Sequence, residues 1–324
     1  MKLSDPIQLF FAFTALLLAG MQPALAENVK ITPLGSNHGE FCQLDRAMVL
    51  EDPDGTRILY DPGRTVAGPD DSRLGKIDAI LLSHMHGDHV GDKHIESAGS
   101  GDCKTAKFPV KVLPNTNLIN IALAKDAKIV TGSEMPKFFA AKLKALGGNP
   151  KNSQLVRFGA SRKVGGVTIT TVPAVHSNGV SGSMIGGELG KMLNAAGLTA
   201  YAGPPTGYVL KFSNGLAVYL SGDTGVTAEQ DTVVRRLYNA KLVVMNIGDT
   251  FTTGPKEAAW VVNNLIKPAS VIASHANQPS TSGGKVIEGT RADAFMKASK
   301  AKVYLPLSGR TMAFNNKGKC VEGC

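Results

Sequence analysis

Three histidines and one aspartate lie close together in the H-x-H-x-D-H segment 84–89. Residues two apart in an extended chain point the same way, so His84 and His86 can bind one metal ion together. The glycine that follows them permits a sharp turn. Beyond that turn, Asp88 and His89 point elsewhere and can bind a second ion. Imidazole and carboxylate groups at this spacing predict a metal site.

Three further residues with metal-binding side chains each follow an apolar segment that is typical of a β-strand. They are His176, Asp223 and His275. The ends of neighbouring strands meet at one edge of an α/β sheet, and functional sites collect at that edge. We therefore expect these three side chains to join the histidine-rich segment in one site.

The elements that must position these residues alternate between strands and helices along the chain. Periodicity and turn residues predict strands at Val29–Leu34, Met48–Leu50, Ile58–Tyr60, Asp78–Ser83, Val110–Leu113, Val167–Val172, Tyr208–Phe212, Leu216–Leu220, Leu242–Asn246, Val271–Ser274 and Val303–Leu305. Helical spacing predicts helices at Ser133–Leu146, Val226–Asn239, Pro255–Ile266 and Arg291–Lys300. One compact α/β domain with packed sheets and outer helices fits this order best.

The composition excludes several classes of protein. The 324 residues are 43% hydrophobic and 19% charged, with a mean hydropathy near zero. These values exclude a disordered tail, a fibrous repeat and a membrane protein with many spans. The net charge of +9 is compatible with a small anionic substrate but does not identify one. No clear basic and aromatic patch is present in the sequence, so no nucleic-acid partner is expected.

The N-terminal residues have the pattern of a secretory signal peptide. Lys2 precedes the apolar run Leu9–Ala19, and residues 24–26 (Ala-Leu-Ala) form an A-x-A cleavage pattern. The apolar run is shorter than the ~20 residues that a membrane-spanning helix needs. We therefore expect cleavage after residue 26, export to the periplasm or the medium, no stable membrane insertion and a mature domain of residues 27–324.

All four cysteines lie in the expected mature domain, at Cys42, Cys103, Cys320 and Cys324. An even number of cysteines in an exported protein predicts two disulfides, with three possible pairings. Cys320 can pair with Cys324, or the tail can be tied to the body of the protein. A metal site at the cysteines is disfavoured, because only His38 lies near one of them.

Two stretches interrupt the alternation of strands and helices. Glu96–Lys107 is rich in Gly and Ser, and Gly179–Gly207 is rich in Gly with a short helix-like piece at Glu188–Ala196. Surface loops are the default expectation for both stretches. Because the second stretch follows His176 closely, the alternative is a loop that covers the substrate.

Five further motifs accompany the candidate ligands. They are Ile58–Gly63, Asp88–Asp92, Gly207–Leu210, Tyr219–Gly225 and Ile247–Pro255. With these motifs and the ligand pattern, the chain resembles the metallo-β-lactamase superfamily of hydrolases, and within it the branch of UlaG-like metal-dependent hydrolases. The resemblance covers nearly all of the expected mature chain. It implies a single-domain, four-layer αβ/βα sandwich with two metal ions at one edge.

The resemblance also implies which residues hold each ion. The first ion is held by His84, His86 and His176, the second by Asp88, His89 and His275, and Asp223 bridges both. The sequence departs from the branch in three places. They are His38, which stands later than the usual Gly-His-Ser motif, Ser274–Ala276 in place of Met-His-Tyr, and the long Gly179–Gly207 stretch. The substrate is therefore not implied.

Two metal ions held by imidazole and carboxylate groups predict metal-assisted hydrolysis. Zn²⁺ is the expected metal, and Mn²⁺ or Fe²⁺ suit the same ligands. A hydroxide that bridges the ions is the expected nucleophile, and the positive centre stabilises an oxyanion. The expected substrate is a small ester, lactone or phosphoester. Asp88 and His38 are the candidate catalytic residues. Asp61 and Asp249 are expected to orient the ligand side chains without binding the metal ions themselves.

Two alternatives stay open. Export suggests a β-lactamase-type amide hydrolase, although Asp223 argues against it, since metallo-β-lactamases generally lack a carboxylate at that position. The other alternative is a non-catalytic module on the same fold that binds a metal or a partner. All seven ligand positions are occupied by suitable residues, which is unexpected for an inactive member.

Overall fold

The computed structural model describes residues 28–99, 103, 107–110 and 115–324. The predicted signal peptide, residues 1–26, lies outside these residues, and so does most of the predicted strand Val110–Leu113. Within the described ranges, no helix has the length and apolar character that crossing a membrane requires.

Two mixed β-sheets form the centre of the protein. Among the described residues, the first sheet has eight strands, in the order Cys320–Glu322, Met312–Phe314, Val29–Pro33, Met48–Glu51, Arg57–Tyr60, Ala79–Leu81, Lys128–Thr131 and Ser153–Leu155. The second sheet has seven strands in the same described ranges, in the order Lys302–Tyr304, Ser270–Ser274, Leu242–Asn246, Ala217–Leu220, Thr206–Lys211, Val167–Pro173 and Ser161–Val164. Two-stranded ribbons pair Lys93–His94 with Phe108–Pro109, Gly179–Val180 with Ala200–Tyr201, and Thr281–Ser282 with Lys285–Val286.

Several strands that lead to candidate ligands run parallel to a neighbour. Arg57–Tyr60 pairs in parallel with Ala79–Leu81 in the first sheet. In the second sheet Leu242–Asn246 pairs in parallel with both Ala217–Leu220 and Ser270–Ser274. The carboxyl ends of parallel strands lie at the same edge of a sheet, so the residues that follow these strands are brought together there.

The two sheets pack face to face through an apolar core. Successive side chains of a strand point to opposite faces. Ile58 and Tyr60 therefore lie in the core between the sheets, and Leu59 lies in the outer core. In the second sheet, Leu220 points to the other sheet and Tyr219 points outward. Both sheets are thus buried on both faces, which explains the continuous apolar runs of their strands.

Helices cover the outer face of each sheet. Asn117–Lys125 and Met135–Ala145 cover the first sheet, and Gln230–Leu237, Pro255–Trp260 with its continuation Val261–Ile266, and Arg291–Ala298 cover the second. Further helices lie at Gly87–Val90, Pro150–Asn152, Gly182–Ile185 and Gly187–Ala195. The predicted single α/β domain, a four-layer αβ/βα sandwich, is confirmed.

One predicted helix is shorter than expected. The pattern predicted a helix over Val226–Asn239, but the helix begins only at Gln230. Residues 224–227 before it are not helical, and the Gly225 amide donates to the carbonyl oxygen of Val175 at 3.0 Å. The Thr227 amide donates to Oε1 of Gln230, also at 3.0 Å. The bond to Val175 ties the segment to the edge of the sheet that carries the candidate ligands.

Some described elements were not predicted from the sequence. They are the helix Asn117–Lys125 and the strands Lys128–Thr131, Ser153–Leu155, Ser161–Val164, Met312–Phe314 and Cys320–Glu322. The strands have only three or four residues each, which is too short for a clear alternation. The helix did carry a signal, because Thr116 caps it and accepts a hydrogen bond from the Ile119 amide.

Both predicted disulfides are present. Cys42 pairs with Cys103, and Cys320 pairs with Cys324. Of the three pairings that the sequence allowed, the structure selects the one in which the tail closes on itself. The first disulfide joins the buried residue Cys42 to the Gly- and Ser-rich stretch Glu96–Lys107.

The stretch Gly179–Gly207 is not a simple loop, as the default expectation had it. A two-stranded ribbon frames two helices, and the second helix, Gly187–Ala195, confirms the predicted helix-like piece. Met184 is buried in the apolar layer outside the first sheet. The stretch is therefore attached to the sandwich by packing as well as by its ends.

Candidate metal centre

The candidate ligands lie where the edges of the two sheets approach each other. Gly222 precedes Asp223 and has a φ of +60°, and a Cβ at this position would lie 2.8 Å from the Cβ of Ser83. Only glycine allows both this backbone conformation and this close approach. Because Ser83 precedes His84, the contact joins the ligand segments of the two sheets.

One oxygen of Asp223 lies among four histidines. Its Oδ2 atom lies 3.1 Å from Nε2 of His275 and 3.3 Å from Nε2 of His89. The Nε2 atoms of His176 and His84 lie 3.7 and 3.8 Å from the same oxygen. Imidazole groups from three separate segments of the chain therefore converge on one carboxylate.

The other candidate ligands lie on two sides of this centre. Nδ1 of His86 lies 3.4 Å from Nε2 of His176, and Oδ2 of Asp88 lies 3.7 Å from Nε2 of His275. Ligand atoms lie within 4.8 Å of one another in three sets: His84 with His86 and His176, His84 with His89 and Asp223, and Asp88 with His89 and His275. The structure thus brings together all seven residues that the sequence analysis named as ligands.

Asp61 orients His89. Its Oδ2 atom lies 2.8 Å from Nδ1 of His89. The same carboxylate accepts hydrogen bonds from the amide and the hydroxyl of Ser83, at 2.8 and 2.7 Å. A carboxylate that accepts the Nδ1 proton of an imidazole leaves the Nε2 lone pair free to bind a metal. Asp61 is therefore placed where the sequence analysis expected a supporting carboxylate.

Two residues of the cluster have a strained backbone. Asp61 and His275 have φ values of 40° and 53°. Residues other than glycine rarely adopt positive φ, and they keep it only where the surrounding structure fixes them. Each of these two residues directly follows a strand, so the sharp turn occurs at the point where the chain enters the site.

A hydrogen-bond network holds the loop that carries Asp223. The hydroxyl of Ser221 donates to Oδ1 of Asn246 at 2.9 Å. The amide nitrogen Nδ2 of Asn246 in turn donates to the carbonyl oxygen of Thr224 at 3.0 Å. Residues on both sides of Asp223 are thus fixed to the neighbouring strand.

The open side of the cluster lies at His86, His176 and Asp88. The side chains of His176 and Asp88 are 15% and 27% exposed, whereas that of His84 is fully buried. The hydroxyl of Ser177 lies 3.1 Å from Nε2 of His86, on the ring atom opposite to the one that faces His176. A substrate can therefore reach the cluster from this side.

A buried arginine, which the sequence analysis did not single out, contacts Asp88. Nη1 of Arg46 forms an ion pair with Oδ2 of Asp88 and donates to its carbonyl oxygen at 3.3 Å. The Arg46 side chain is 2% exposed, and its Nε and Nη2 atoms have no hydrogen-bond partner in the described part of the chain. A charged residue close to the apolar strand Met48–Glu51 was the available signal, because a buried charge requires a partner.

Neighbouring charges lower the pKa values of both cluster carboxylates. Burial raises the pKa of Asp223, but His89 and His275 outweigh burial and hold the pKa well below its usual value. Burial also raises the pKa of Asp88, and Arg46 together with the same two histidines holds it low. Both carboxylates are therefore ionised and ready to bind cations.

The pKa values of the histidines in the cluster are shifted in different directions. Burial lowers the pKa of His84 well below its usual value, and the nearby His89 lowers it further. Burial also lowers the pKa of His89, but Asp223, Asp61 and Asp88 outweigh burial and raise that pKa to about 10. The three carboxylates therefore favour positive charge at this point of the cluster.

The donor atoms of the cluster fit metal ions. The Nε2 atoms of His84, His89 and His275 are buried and have no hydrogen-bond partner among the described residues. Buried polar atoms without a partner are rare, because they cost free energy. Neutral imidazole nitrogens and carboxylate oxygens are the donors that Zn²⁺, Mn²⁺ and Fe²⁺ accept. The residues present therefore suit two such ions.

A cavity of about 430 Å³ opens beside His176. Segments 175–176, 224–226 and 249–254 form most of its wall, and none of its lining residues belongs to the Gly179–Gly207 stretch. Asp249 lies in this wall. Its side chain accepts a hydrogen bond from the Thr250 amide, and it forms no hydrogen bond or ion pair with a candidate ligand in the described ranges.

His38 is placed apart from the ligand contacts. It is exposed, and its ring lies beside Gly309, where a Cβ would be 2.8 Å from Nδ1 of the histidine. Among the residues that the structure describes, it forms no hydrogen bond or ion pair with a candidate ligand. Its catalytic role stays a prediction.

Known proteins are similar to this chain in sequence. Residues 56–276, more than half of the chain, match the family described as "Beta-lactamase superfamily domain". A UPF0173 metal-dependent hydrolase of Cupriavidus necator is 31% identical over 276 residues, which are 81% of this chain and 81% of the relative.

Two solved structures are similar in fold. A metallo hydrolase from Ignicoccus hospitalis has a TM-score of 0.57 and 22% identity, over 89% of this chain and 99% of that one. The metallo-beta-lactamase fold protein YhfI from Bacillus subtilis has a TM-score of 0.54 and 14% identity, over 89% of this chain and 100% of that one. The chain therefore belongs to the beta-lactamase superfamily, among its metal-dependent hydrolases.

Proposed function

We propose that this chain is a two-metal hydrolase that cleaves an ester, lactone or phosphoester bond of a small molecule. The observation that carries the proposal is the convergence of four imidazole Nε2 atoms within 3.8 Å of Oδ2 of Asp223. A purely structural cluster would pair its buried polar atoms with one another. Here Nε2 of His84 has no hydrogen-bond partner in the described part of the chain, and Nε2 of His89 and of His275 face only Oδ2 of Asp223, without the geometry of a hydrogen bond.

Each ion is assigned the ligand set that the geometry groups together. His84, His86 and His176 would hold the first ion, Asp88, His89 and His275 would hold the second, and Asp223 would contact both. When bound, the two ions supply an activated water molecule and a positive charge that stabilises an oxyanion. The ions are proposed to be Zn²⁺, because a catalytic zinc site takes nitrogen and oxygen ligands and keeps one position open.

The protein side chains orient the ligands and admit the substrate. Asp61 holds the Nδ1 proton of His89, so Nε2 would be the ring atom that binds the metal ion. Arg46 fixes the carboxylate of Asp88 from the buried side, so the open side stays free. The cavity beside His176 gives a small molecule access to the exposed edge of the cluster.

We also propose that the protein is exported and that its mature form begins at Glu27. The N-terminal pattern of residues 1–26 motivates this proposal. Two disulfides support it, since disulfides persist in oxidising compartments. Mass spectrometry of the purified native protein tests it. A mature N-terminus at residue 27 is expected, and a retained leader in the secreted or periplasmic fraction contradicts the proposal.

The hydrolase proposal is tested with the metal-loaded protein and four classes of substrate: a phenyl ester, a lactone, a phosphodiester and a β-lactam. We expect turnover of one of the first three classes. His86→Ala and Asp223→Ala should abolish that turnover and lower the metal content. His94→Ala is the matched control, because His94 hydrogen-bonds the carbonyl oxygen of Ile95 instead of joining the cluster.

Three results would overturn the proposal in different ways. Turnover of the β-lactam alone would replace it with the amide-hydrolase alternative. Metal binding without turnover of any class would favour a non-catalytic module. Unchanged turnover in His86→Ala or Asp223→Ala would show that the cluster is not the active site.

A further inference from the structure

The cavity beside His176 differs in charge from the protein as a whole. The chain carries a net charge of +9, but the described residues that line this cavity include no lysine or arginine. They include two carboxylates, Asp249 and Glu257. Neither carboxylate forms an ion pair with another described residue. A substrate that approaches the candidate metal centre through this cavity therefore meets local negative charge.

The rim of the same cavity is apolar. Val175, Val226 and Phe251 line it, and their exposed fractions are 62%, 47% and 68%. Large apolar side chains that are exposed together beside a polar site mark a place where a ligand or partner binds. The cavity therefore offers apolar contact next to carboxylate oxygens.

The wall that carries these groups is fixed. The amide of Thr253 donates to the carbonyl oxygen of Thr224 at 3.2 Å, and its hydroxyl contacts the same oxygen. The amide of Gly248 donates to the hydroxyl of Thr252 at 3.0 Å. Asp249 and Thr250 both have positive φ, 52° and 54°, which is rare for these residues and is maintained by the surrounding bonds. The wall is thus a preformed surface rather than a loose loop.

We propose that the cavity selects substrates that carry a cationic group beside an apolar group, with the cation at Asp249 and Glu257. This inference rests on the proposed hydrolase function and specifies its substrate class. It replaces the anionic substrate that the net charge suggested, because the part of the substrate that lies in the cavity contacts the charge of the cavity wall and not the net charge of the chain. The apolar part of the substrate would contact Phe251 and the two valines.

The test uses three phenyl esters of similar shape and different charge. They are the esters of 4-(trimethylammonio)butanoic acid, 5,5-dimethylhexanoic acid and 4-sulfobutanoic acid, which are cationic, neutral and anionic. With the metal-loaded protein at low salt, we expect kcat/KM to be about tenfold higher for the cationic ester than for the anionic one. The ratio should fall as salt is added, because salt screens exposed charges.

Charge-neutralising variants locate the effect. Asp249→Asn and Glu257→Gln should each reduce the ratio of cationic to anionic kcat/KM by about threefold. Asp70→Asn and Glu288→Gln are matched controls, because both residues are exposed carboxylates outside the cavity. Each control should leave the ratio unchanged.

Binding supplies a readout that does not depend on turnover. Calorimetric titration of the metal-free protein with phenyltrimethylammonium and with benzenesulfonate compares the two charges directly. The cation should bind more tightly than the anion, and Asp249→Asn should remove most of the difference.

The outcomes separate this inference from the function on which it rests. Equal kcat/KM for the three esters, or preference for the sulfonated ester, overturns the inference and leaves the hydrolase function standing. Selective binding of the cation without hydrolysis of any ester supports the inference and contradicts ester hydrolysis. If no ester is hydrolysed and the cation does not bind selectively, both the inference and ester hydrolysis are overturned, and the lactone and phosphodiester assays then decide the hydrolase function.

Discussion

Oδ2 of Asp61 lies 2.8 Å from Nδ1 of His89, although the two residues follow different strands of the first sheet. The contact fixes which ring nitrogen of His89 carries the proton. The other nitrogen, Nε2, is thereby left to supply its lone pair to a metal ion when one is bound. A carboxylate outside the ligand set thus orients the ring of one of the seven candidate ligands.

The variant Asp61→Asn tests whether Asp61 orients His89. The asparagine retains the size of the side chain and tolerates positive φ, but its NH₂ group cannot accept the Nδ1 proton. Changes to carboxylates behind metal ligands cost 10- to 100-fold in metal affinity or activity, and we expect about the same loss here. Competition with a chelator measures the affinity, and Asp70→Asn is the control. An unchanged affinity would show that Asp61 has no part in orienting His89.

Arg46 should be required for the ion at Asp88. Arg46→Met removes the charge that contacts this carboxylate and keeps most of the apolar stem. We expect the protein to lose one of its two ions and about 1–3 kcal/mol of unfolding free energy, less than for a fully buried pair because Asp88 is partly exposed. Elemental analysis and urea unfolding measure the two effects.

Two further variants make the Arg46 prediction specific. Arg46→Lys keeps the charge without the planar fork and should recover part of the metal content. Arg310→Met removes an exposed arginine elsewhere and should change neither quantity. A full complement of two ions in Arg46→Met would contradict the positioning role.

Gly222 should be more sensitive to substitution than other glycines with positive φ. Gly222→Ala adds a backbone strain of about 1–2 kcal/mol and also forces a Cβ to within 2.8 Å of the Cβ of Ser83. Gly55→Ala has the same kind of strain, with φ of +86° and no atom within 4 Å of the new Cβ. The difference between the two unfolding free energies reports the close approach of the sheets. Equal losses would mean that the loops can separate without cost.

The two disulfides should contribute unequally to stability. Cys42 and Cys103 are separated by 61 residues, and Cys320 and Cys324 by 4. The chain-entropy relation gives about 4 kcal/mol for the long loop and about 2 kcal/mol for the short one. Urea unfolding of the two double Cys→Ala variants measures these losses. A larger loss from the short loop would contradict the entropic account.

The candidate ligands could be predicted from the sequence because the residues next to each of them in the chain form a recognisable pattern. Spacing alone identifies His84 and His86, and an apolar strand precedes each of His176, Asp223 and His275. The fold follows from the same strands, since parallel strands with apolar residues on both faces must be covered on both sides. The five motifs that accompany the ligands reduced the possible protein families to one.

The remaining features depend on contacts between distant parts of the chain. Arg46 and Asp88 are 42 residues apart in the sequence, and no local pattern predicts which carboxylate Arg46 contacts. The negative charge of the cavity could not be predicted from the sequence either, because the net charge of +9 does not indicate where the carboxylates lie in the fold. Asp249 was noticed for its motif, but only the fold places it in the same wall as Glu257 and beside His176.

The metal content of the purified protein tests the central claim most directly. Elemental analysis of the folded protein, after resupply of Zn²⁺, Mn²⁺ and Fe²⁺ and removal of loosely bound ions, gives the number of ions per chain. We predict two ions per chain, with zinc preferred, and a clear loss in Asp223→Ala but none in His94→Ala. A folded protein that retains no metal ion under these conditions would contradict the account.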